Sequence, residues 1–281
     1  MSTHPTFSFD DPVQRRVYEY VEQNGAVSQS ELARAIRIDS SESHSKPARS
    51  GVYRKQVRPS TDQLQEAVDE LKTAGYLLET NGRLRVGVTA PEAKHELEDG
   101  IARIRPARES DRDELVDAMR EVATEGQYVV AENVAERLER ESALVRANED
   151  QSRVFFVAEF DPDDESAAGS AEGGSRRAGE LVGWLHLDAP ELPSLRHTAE
   201  VTVGVRPDAR REGIGSSLLE YGLEWARDAG YQKITQSLPA TNERAIDFLE
   251  ENGWRREGER EGQYCLEGSF VDEVLLATWL E

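Results

Sequence analysis

Residues 205–215, VRPDARREGIG, have the spacing best suited to chemistry. Pro207 marks a turn, and Arg210-x-x-Gly213-x-Gly215 then opens the helical run SSLLEYGLEWARDAG. A helix N-terminus leaves about four backbone N–H groups without intrahelical partners and carries about half a positive charge. Glycines there lack Cβ atoms, so a phosphate can approach the bare N–H groups. The run reads as a pyrophosphate cradle. Glycine-rich turns before helices also serve purely structural ends.

The elements around this turn must position it. The helix over 214–228 stops at Gly230, and a short apolar strand over 231–235 follows. Asn242 suits an N-cap, and the helix it opens over 242–252 halts at Gly253 before Trp254. Together these two segments resemble the GNAT superfamily of acyl-CoA-dependent N-acyltransferases. Its (R/Q)-x-x-G-x-(G/A) loop corresponds to Arg210–Gly215. Its downstream N-x-x-A-x-x-(F/Y) pattern corresponds to Asn242, Ala245 and Phe248, about 30 residues on. The chain looks most like the branch acting on amino-acid or protein α-amines. It shares that branch's R-H-x-A-(D/E) pattern at Arg196, His197, Ala199 and Glu200. It also shares the late pattern of Glu257, Gly258, Tyr264, Gly268, Phe270, Val271, Asp272 and Glu273. The resemblance spans residues 101–281.

The resemblance implies an α+β fold, a mixed sheet flanked by helices and splayed near its fourth strand. It implies acetyl-CoA as co-substrate and no metal. Backbone groups of Val203, Gly204 and Val205 would pair with the pantetheine amides. Main-chain N–H groups from Arg210, Arg211, Glu212, Gly213, Ile214, Gly215 and Ser216 would hold the pyrophosphate, with an arginine fork adding charge. Asn242 would reach the pantetheine arm, serve as a plain N-cap, or do both. The reaction is direct attack of a neutral primary amine on the thioester. The acceptor would be an amino acid, a peptide or a protein. Glu200 is placed as the base, with a role as a surface strand-end carboxylate or partner to Arg196 as the alternative. His197 is a second candidate base. A fourth-strand N–H such as that of Val203 would face the oxyanion. The family often protonates the leaving thiolate with a tyrosine where this chain has Leu249, which has no proton to give. Tyr264 or water would substitute.

Composition narrows the setting. The chain has 281 residues, 34 Lys+Arg and 55 Asp+Glu, for a net charge of −21. Such acidity fits a halophilic cytoplasm, or an acidic protein from any source. Its one cysteine, Cys265, excludes an internal disulfide and a Cys-based zinc site. No apolar run of about 18 residues and no signal-peptide pattern occur, so a cytoplasmic protein without membrane contact is expected.

The charge is uneven. Residues 1–90 hold 12 of the basic and 12 of the acidic residues, so the whole deficit lies in residues 91–281. Within the neutral part, 44–58 (HSKPARSGVYRKQVR) has five basic residues and no acidic one. Arg49, Arg54, Lys55 and Arg58 are the candidate DNA contacts; a solvated loop is the alternative.

Periodicity in residues 1–90 predicts three helices and a hairpin. The first runs from Asp11-Pro12 to about Glu22, with Val13, Val17, Tyr20 and Val21 on one stripe. Ser28–Glu31 resembles a capping box for a helix over 31–38, and Ser60/Thr61 caps a third helix ending at Gly75. Asn81-Gly82 is a two-residue hairpin signal between strands at 76–80 and 83–88. This order resembles a winged helix-turn-helix, and EAVDELKTAGYL with its hairpin resembles the third helix and wing of many archaeal regulators. Two features depart from it. The second and third helices are about 20 residues apart, and the third carries Asp62, Glu66, Asp69 and Glu70. DNA binding and dimerisation both remain open roles.

The expected organisation is therefore a winged helix-turn-helix domain over 1–90, a linker over 91–100 and an acetyltransferase domain over 101–281. Within the last, the acidic Ser/Gly/Ala-rich stretch 161–179 reads as a disordered loop. The expected element order there is β-α-α-β-β-β-α-β-α-β-β. Two functions follow from these readings: an active N-acetyltransferase, or an acyl-CoA-sensing DNA-binding regulator with little catalysis. A homodimer is compatible with both.

Overall fold

A computed structural model of the chain describes residues 11–39, 56–88, 90–123, 129–140, 143–147, 152–162, 176–189, 192–266 and 268–280. The chain divides into two compact units that meet in sequence between Val88 and Thr89. No helix among the described residues is long and apolar enough to cross a membrane.

The first unit contains α1 (Pro12–Asn24), β1 (Val27–Ser28), α2 (Gln29–Ala35), β2 (Ile38–Asp39), β3 (Gln56–Val57), α3 (Thr61–Thr73), β4 (Leu77–Thr80) and β5 (Arg83–Val86). Its caps follow from the sequence. Asp11 accepts from the Val13 N–H at 2.8 Å, and both Ser28/Glu31 and Ser60/Gln63 close reciprocal capping boxes. Ser28 as N-cap starts α2 two residues before the expected helix and ends it at Ala35. The buried stripe of α1 is Val13, Val17, Tyr18 and Val21, with Tyr20 only half-buried. Asn81 and Gly82 both take positive φ, 52° and 73°, and join β4 to β5 in a hairpin. The three-stranded sheet has the order β1-β5-β4. Arg49, Arg54 and Lys55 lie outside the described residues; Arg58 follows β3 and is exposed.

The second unit is built on a nine-stranded sheet. Its strands are β6 (Ala93–Glu96), β7 (Gly100–Pro106), β8 (Arg146–Ala147), β9 (Ser152–Pro162), β10 (Leu181–Ala189), β11 (Thr198–Val205), β12 (Lys233–Pro239), β13 (Arg255–Leu266) and β14 (Ser269–Trp279). The order is β13-β14-β12-β11-β10-β9-β7-β6, with β8 paired to β9. Among the described residues its one parallel pair is β11 with β12, which is the point of divergence.

Helices cover both faces. α4 (Arg112–Ala123) and α5 (Val129–Arg140) bury Leu115, Met119 and Leu138 against Phe155, Val157 and Trp184. α6 (Ile214–Asp228) packs on the opposite face, where a Cβ on Gly183 would come within 3.3 Å of both Leu218 and Ile214. α7 (Glu243–Glu251) follows β12.

Two expectations need correction. Residues 91–100 are not a bare linker. The backbone of β6 pairs antiparallel with β7 and extends the sheet edge. The stretch 161–179 lies largely outside the described residues, but its ends are ordered. Asp161 and Pro162 belong to β9, and Arg176 is anchored against the turn before α6.

Candidate active site

The strands β11 and β12 pair only over Thr198–Glu200 and Lys233–Thr235, and then part. Between them lies a cavity of about 270 Å³. Its walls join the two faces of the sheet. Trp184 and Thr202 come from the α4/α5 side; Ile214 and Phe248 come from the α6/α7 side.

Of the sequence-predicted binding residues, Val203, Gly204, Val205, Arg210, Arg211, Gly213, Ile214, Gly215 and Ser216 all line this cavity. The turn that carries the last of them alternates in hand. Arg211 has φ 68° and Gly213 φ 86°, with Glu212 between them outside the left-handed region. Such alternation makes anion-binding concavities of backbone N–H groups, and here it feeds directly into the N-terminus of α6. A left-handed non-glycine residue costs about 1–3 kcal/mol, so the strain at Arg211 must be held by its surroundings. Two contacts hold it. Arg210 Nε donates to the Val205 carbonyl at 2.9 Å, and Arg176 grips the turn from outside. Arg176 donates to both carboxylate oxygens of Glu212, one at 3.0 Å, and to the Asp208 carbonyl at 2.7 Å. The Glu212 carboxylate beside it raises the Arg176 pKa. The Glu212 side chain thus faces Arg176 and is absent from the cavity wall.

Asn242 is fully buried and caps α7, accepting from the Ala245 N–H at 3.3 Å; it is not in the wall. Leu249 is in the wall, buried and without a proton to donate. His197 contributes its carbonyl, which accepts from the N–H groups of Gln232 and Lys233.

Glu200 and Tyr264 come from separate strands and converge on Ser237. The Ser237 hydroxyl donates to Glu200 Oε1 at 3.3 Å and stands beside the Tyr264 phenol. The Tyr264 hydroxyl donates to Glu273 Oε1 at 2.8 Å, and Arg260 closes the set at 3.0 Å from Glu273 Oε2. Glu200 keeps contact with solvent, but the protein crowded around it raises its carboxyl above the ordinary range. The Ser237 hydrogen bond opposes this, while Asp188 and Glu273 add to it. Burial pushes Tyr264 up to about 12, and its bond to Glu273 acts in the same direction. Tyr264 is therefore a neutral donor at neutral pH, and Glu200 a stronger base than a free carboxylate.

Register puts Glu200 on a definite face. It sits opposite Asp188, as Thr202 does opposite His186 and Gly204 opposite Trp184. Residues opposed in this way share a face, here the one under α4 and α5. Glu200 and the turn at Arg210–Ser216 thus lie on different sides of the sheet, and Glu200, Ser237 and Tyr264 are outside the cavity wall.

Three groups in this region had no signal in the sequence. Trp184 and Gln236 line the cavity, and Trp184 Nε1 and Gln236 Oε1 are buried with no hydrogen-bond partner among the described residues. One donor and one acceptor of this kind are what an amide-bearing ligand such as pantetheine would satisfy. His186 is buried beside them, stacked on Phe155 at 4.5 Å between centroids. Burial, with Arg153 and Arg137 nearby, drives it down to about 3, so it is a neutral imidazole. Among the described residues, no cluster of three or more His, Cys, Asp or Glu side chains is placed to hold a metal ion.

Comparison with known proteins finds a family model that matches part of the chain. Residues 116–254 match the model of the acetyltransferase (GNAT) family. No curated protein matches the chain in sequence. Solved structures resemble it at low identity. The GNAT-family acetyltransferase from Streptococcus pneumoniae has 20% identity and a TM-score of 0.48, over 63% of this chain and 98% of that one. The yncA protein from Salmonella typhimurium with its cofactor acetyl-CoA has 16% identity and a TM-score of 0.48, over 68% and 95%. The GNAT domain of S. lividans PAT has 20% identity and a TM-score of 0.47, over 68% and 100%.

Proposed function

We propose that this chain, which carries a GNAT acetyltransferase domain over residues 116–254, transfers an acetyl group from acetyl-CoA to a primary amine. The observation that carries this reading is the cavity between β11 and β12, walled by the alternating-hand turn. Glu200, Ser237 and Tyr264 stand outside its wall, with Glu200 at the last paired position before the strands part.

Acetyl-CoA supplies an activated thioester carbonyl. The N–H groups of the turn from Arg210 to Ser216 hold its diphosphate, with Arg210 and Arg211 adding charge. Glu200, made more basic by the protein crowded around it, takes the proton from the incoming ammonium, directly or through water. The Val203 N–H is aimed at the oxygen where negative charge develops. Tyr264 gives a proton to the departing thiolate in place of the residue at 249. Such thiols have a pKa of about 8–9, so this assistance is modest. The acceptor is an amino acid, peptide or protein amine, drawn in as a cation by Asp188, Glu200 and Glu273.

For the first unit we propose a winged helix domain over 1–90, supported by the order of α1, α2, α3 and the β4–β5 hairpin and by the third strand β1. DNA contact through Arg58 and the basic stretch before it, or pairing with a second copy, would be its role. The acetyltransferase domain then occupies 101–281 in a cytoplasmic protein.

The test is thiol release from acetyl-CoA in high salt against amino acids, polyamines and peptides. Release with one class supports the enzyme and identifies the acceptor. Acetyl-CoA binding without release from any acceptor would favour a sensor. No binding at all would overturn the reading.

A further inference from the structure

β6 lies outside the matched family residues, yet it sends one side chain to the diphosphate turn. Along the strand Ala93, His95 and Leu97 are half-buried while Lys94, Glu96 and Glu98 are exposed. The His95 side of β6 packs toward α6. His95 Nε2 lies 2.6 Å from the Glu212 carbonyl oxygen, and its Nδ1 lies 2.9 Å from Ser217 Oγ. A carbonyl oxygen only accepts, so Nε2 carries the proton and donates. Nδ1 is then the acceptor for the Ser217 hydroxyl. One neutral tautomer satisfies both bonds. One helical turn beyond Ser217, the Tyr221 hydroxyl donates to the Pro91 carbonyl at 2.9 Å. The segment 91–95 is thereby tied to α6 at two points.

The bond to the Glu212 carbonyl has a consequence across the same peptide unit. A trans peptide is planar, with its C=O and N–H pointing in opposite directions. Holding the Glu212 oxygen toward β6 turns the Gly213 N–H away from it, and Gly213 lines the cavity. A hydrogen bond on the oxygen also polarises that N–H as a donor. The ring fits closely enough to dictate the residue at 213. A Cβ there would stand 2.9 Å from His95 Cε1 and 3.1 Å from Nε2.

We infer that His95 is a positioning residue for acetyl-CoA, aiming the Gly213 N–H at the diphosphate by holding the Glu212 carbonyl from behind. This rests on the acetyl-CoA reading above. It adds a residue from an extra edge strand to the site.

The test uses the full chain and two probes, acetyl-CoA and S-acetylpantetheine, which lacks the diphosphate. Binding is followed by tryptophan fluorescence, since Trp184 lines the cavity, and folding by thermal melting. His95→Leu is expected to weaken acetyl-CoA binding about 10-fold, the value of one good hydrogen bond, and to leave S-acetylpantetheine binding unchanged. His95→Gln, which keeps an N–H donor of similar reach, should recover part of the loss. Ser217→Ala, which frees the ring, should show a smaller loss confined to acetyl-CoA. Equal weakening of both probes would make His95 a packing residue and overturn the inference, as would unchanged acetyl-CoA binding in all three variants. A wild-type chain that fails to bind acetyl-CoA would instead overturn the underlying reading, and this inference with it.

Discussion

Ser237 on β12 stands between Glu200 on β11 and Tyr264 on β13, donating to the first at 3.3 Å and lying beside the second. It is placed there because β11 and β12 run parallel only as far as Glu200 and Thr235. Two residues further on, the strands have begun to separate, and a small hydroxyl bridges the widening gap. A carboxylate and a phenol 64 positions apart in sequence thus share one polar neighbour.

Glu200→Gln should lower turnover about 10²-fold if the carboxylate is the base, with acetyl-CoA affinity unchanged. The wild-type acidic limb should lie above the ordinary carboxylate value of 4.5, because burial raises Glu200. Stability changes in the opposite sense to activity. A raised pKa means the native state holds the proton more tightly, so this group's contribution is full below about 4.5 and is lost as pH rises through the raised value. Glu200→Gln should therefore melt higher than wild type at pH 7 and the same as wild type at pH 4. Full activity in the variant would make Glu200 structural.

Tyr264→Phe should reduce kcat about 10-fold and leave acetyl-CoA binding intact. Because the phenol is held up to about 12, its ionisation should not shape the rate between pH 7 and 10. A basic limb that disappears in Tyr264→Phe would contradict this assignment.

Gly213→Ala and Gly215→Ala should differ. At 213 the backbone is left-handed, φ 86°, and a Cβ would meet His95 at 2.9 Å. We expect a loss of about 1–3 kcal/mol in stability and a weakened acetyl-CoA site. At 215 a Cβ would find only ordinary contacts, Val205 at 3.5 Å and Phe248 at 4.0 Å. That variant should fold and bind nearly as wild type. Denaturant unfolding and acetyl-CoA titration of the pair decide the matter; similar losses at both sites would be the contrary result.

Arg105→Ala should destabilise by about 3–5 kcal/mol. The Arg105 side chain is 5% exposed and pairs with Asp111 and Glu159, both at 2.6 Å. Its removal leaves two carboxylates facing a largely dry site. Chemical denaturation would show it, and a change below about 1 kcal/mol would mean that water enters and replaces the guanidinium.

Much of this protein is local and was legible as sequence. Caps at Asp11, Ser28, Ser60 and Asn242, the Asn81-Gly82 hairpin, and the turn from Arg210 to Gly215 depend on residues a few positions apart, whose side chains or φ angles act on their own backbone. What the tertiary structure alone decided is long-range and carries no periodic signal. The strand at Ala93–Glu96 forms because β7 offers an unpaired edge, not because its charged side chains prefer extension. His95 reaches Ser217 across 122 positions. Arg176, in a stretch whose composition reads as disordered, grips Glu212. Glycine at two positions also answers to packing across the chain. Gly213 makes room for an imidazole. Gly204 makes room for Trp184, whose indole would lie 2.7 Å from any Cβ there. The sequence determined which turn could hold an anion; the packing of distant strands determined what stands behind that turn and which acids and phenols face across the gap, because contacts between residues far apart in the chain depend on where the sheet ends and where it splits.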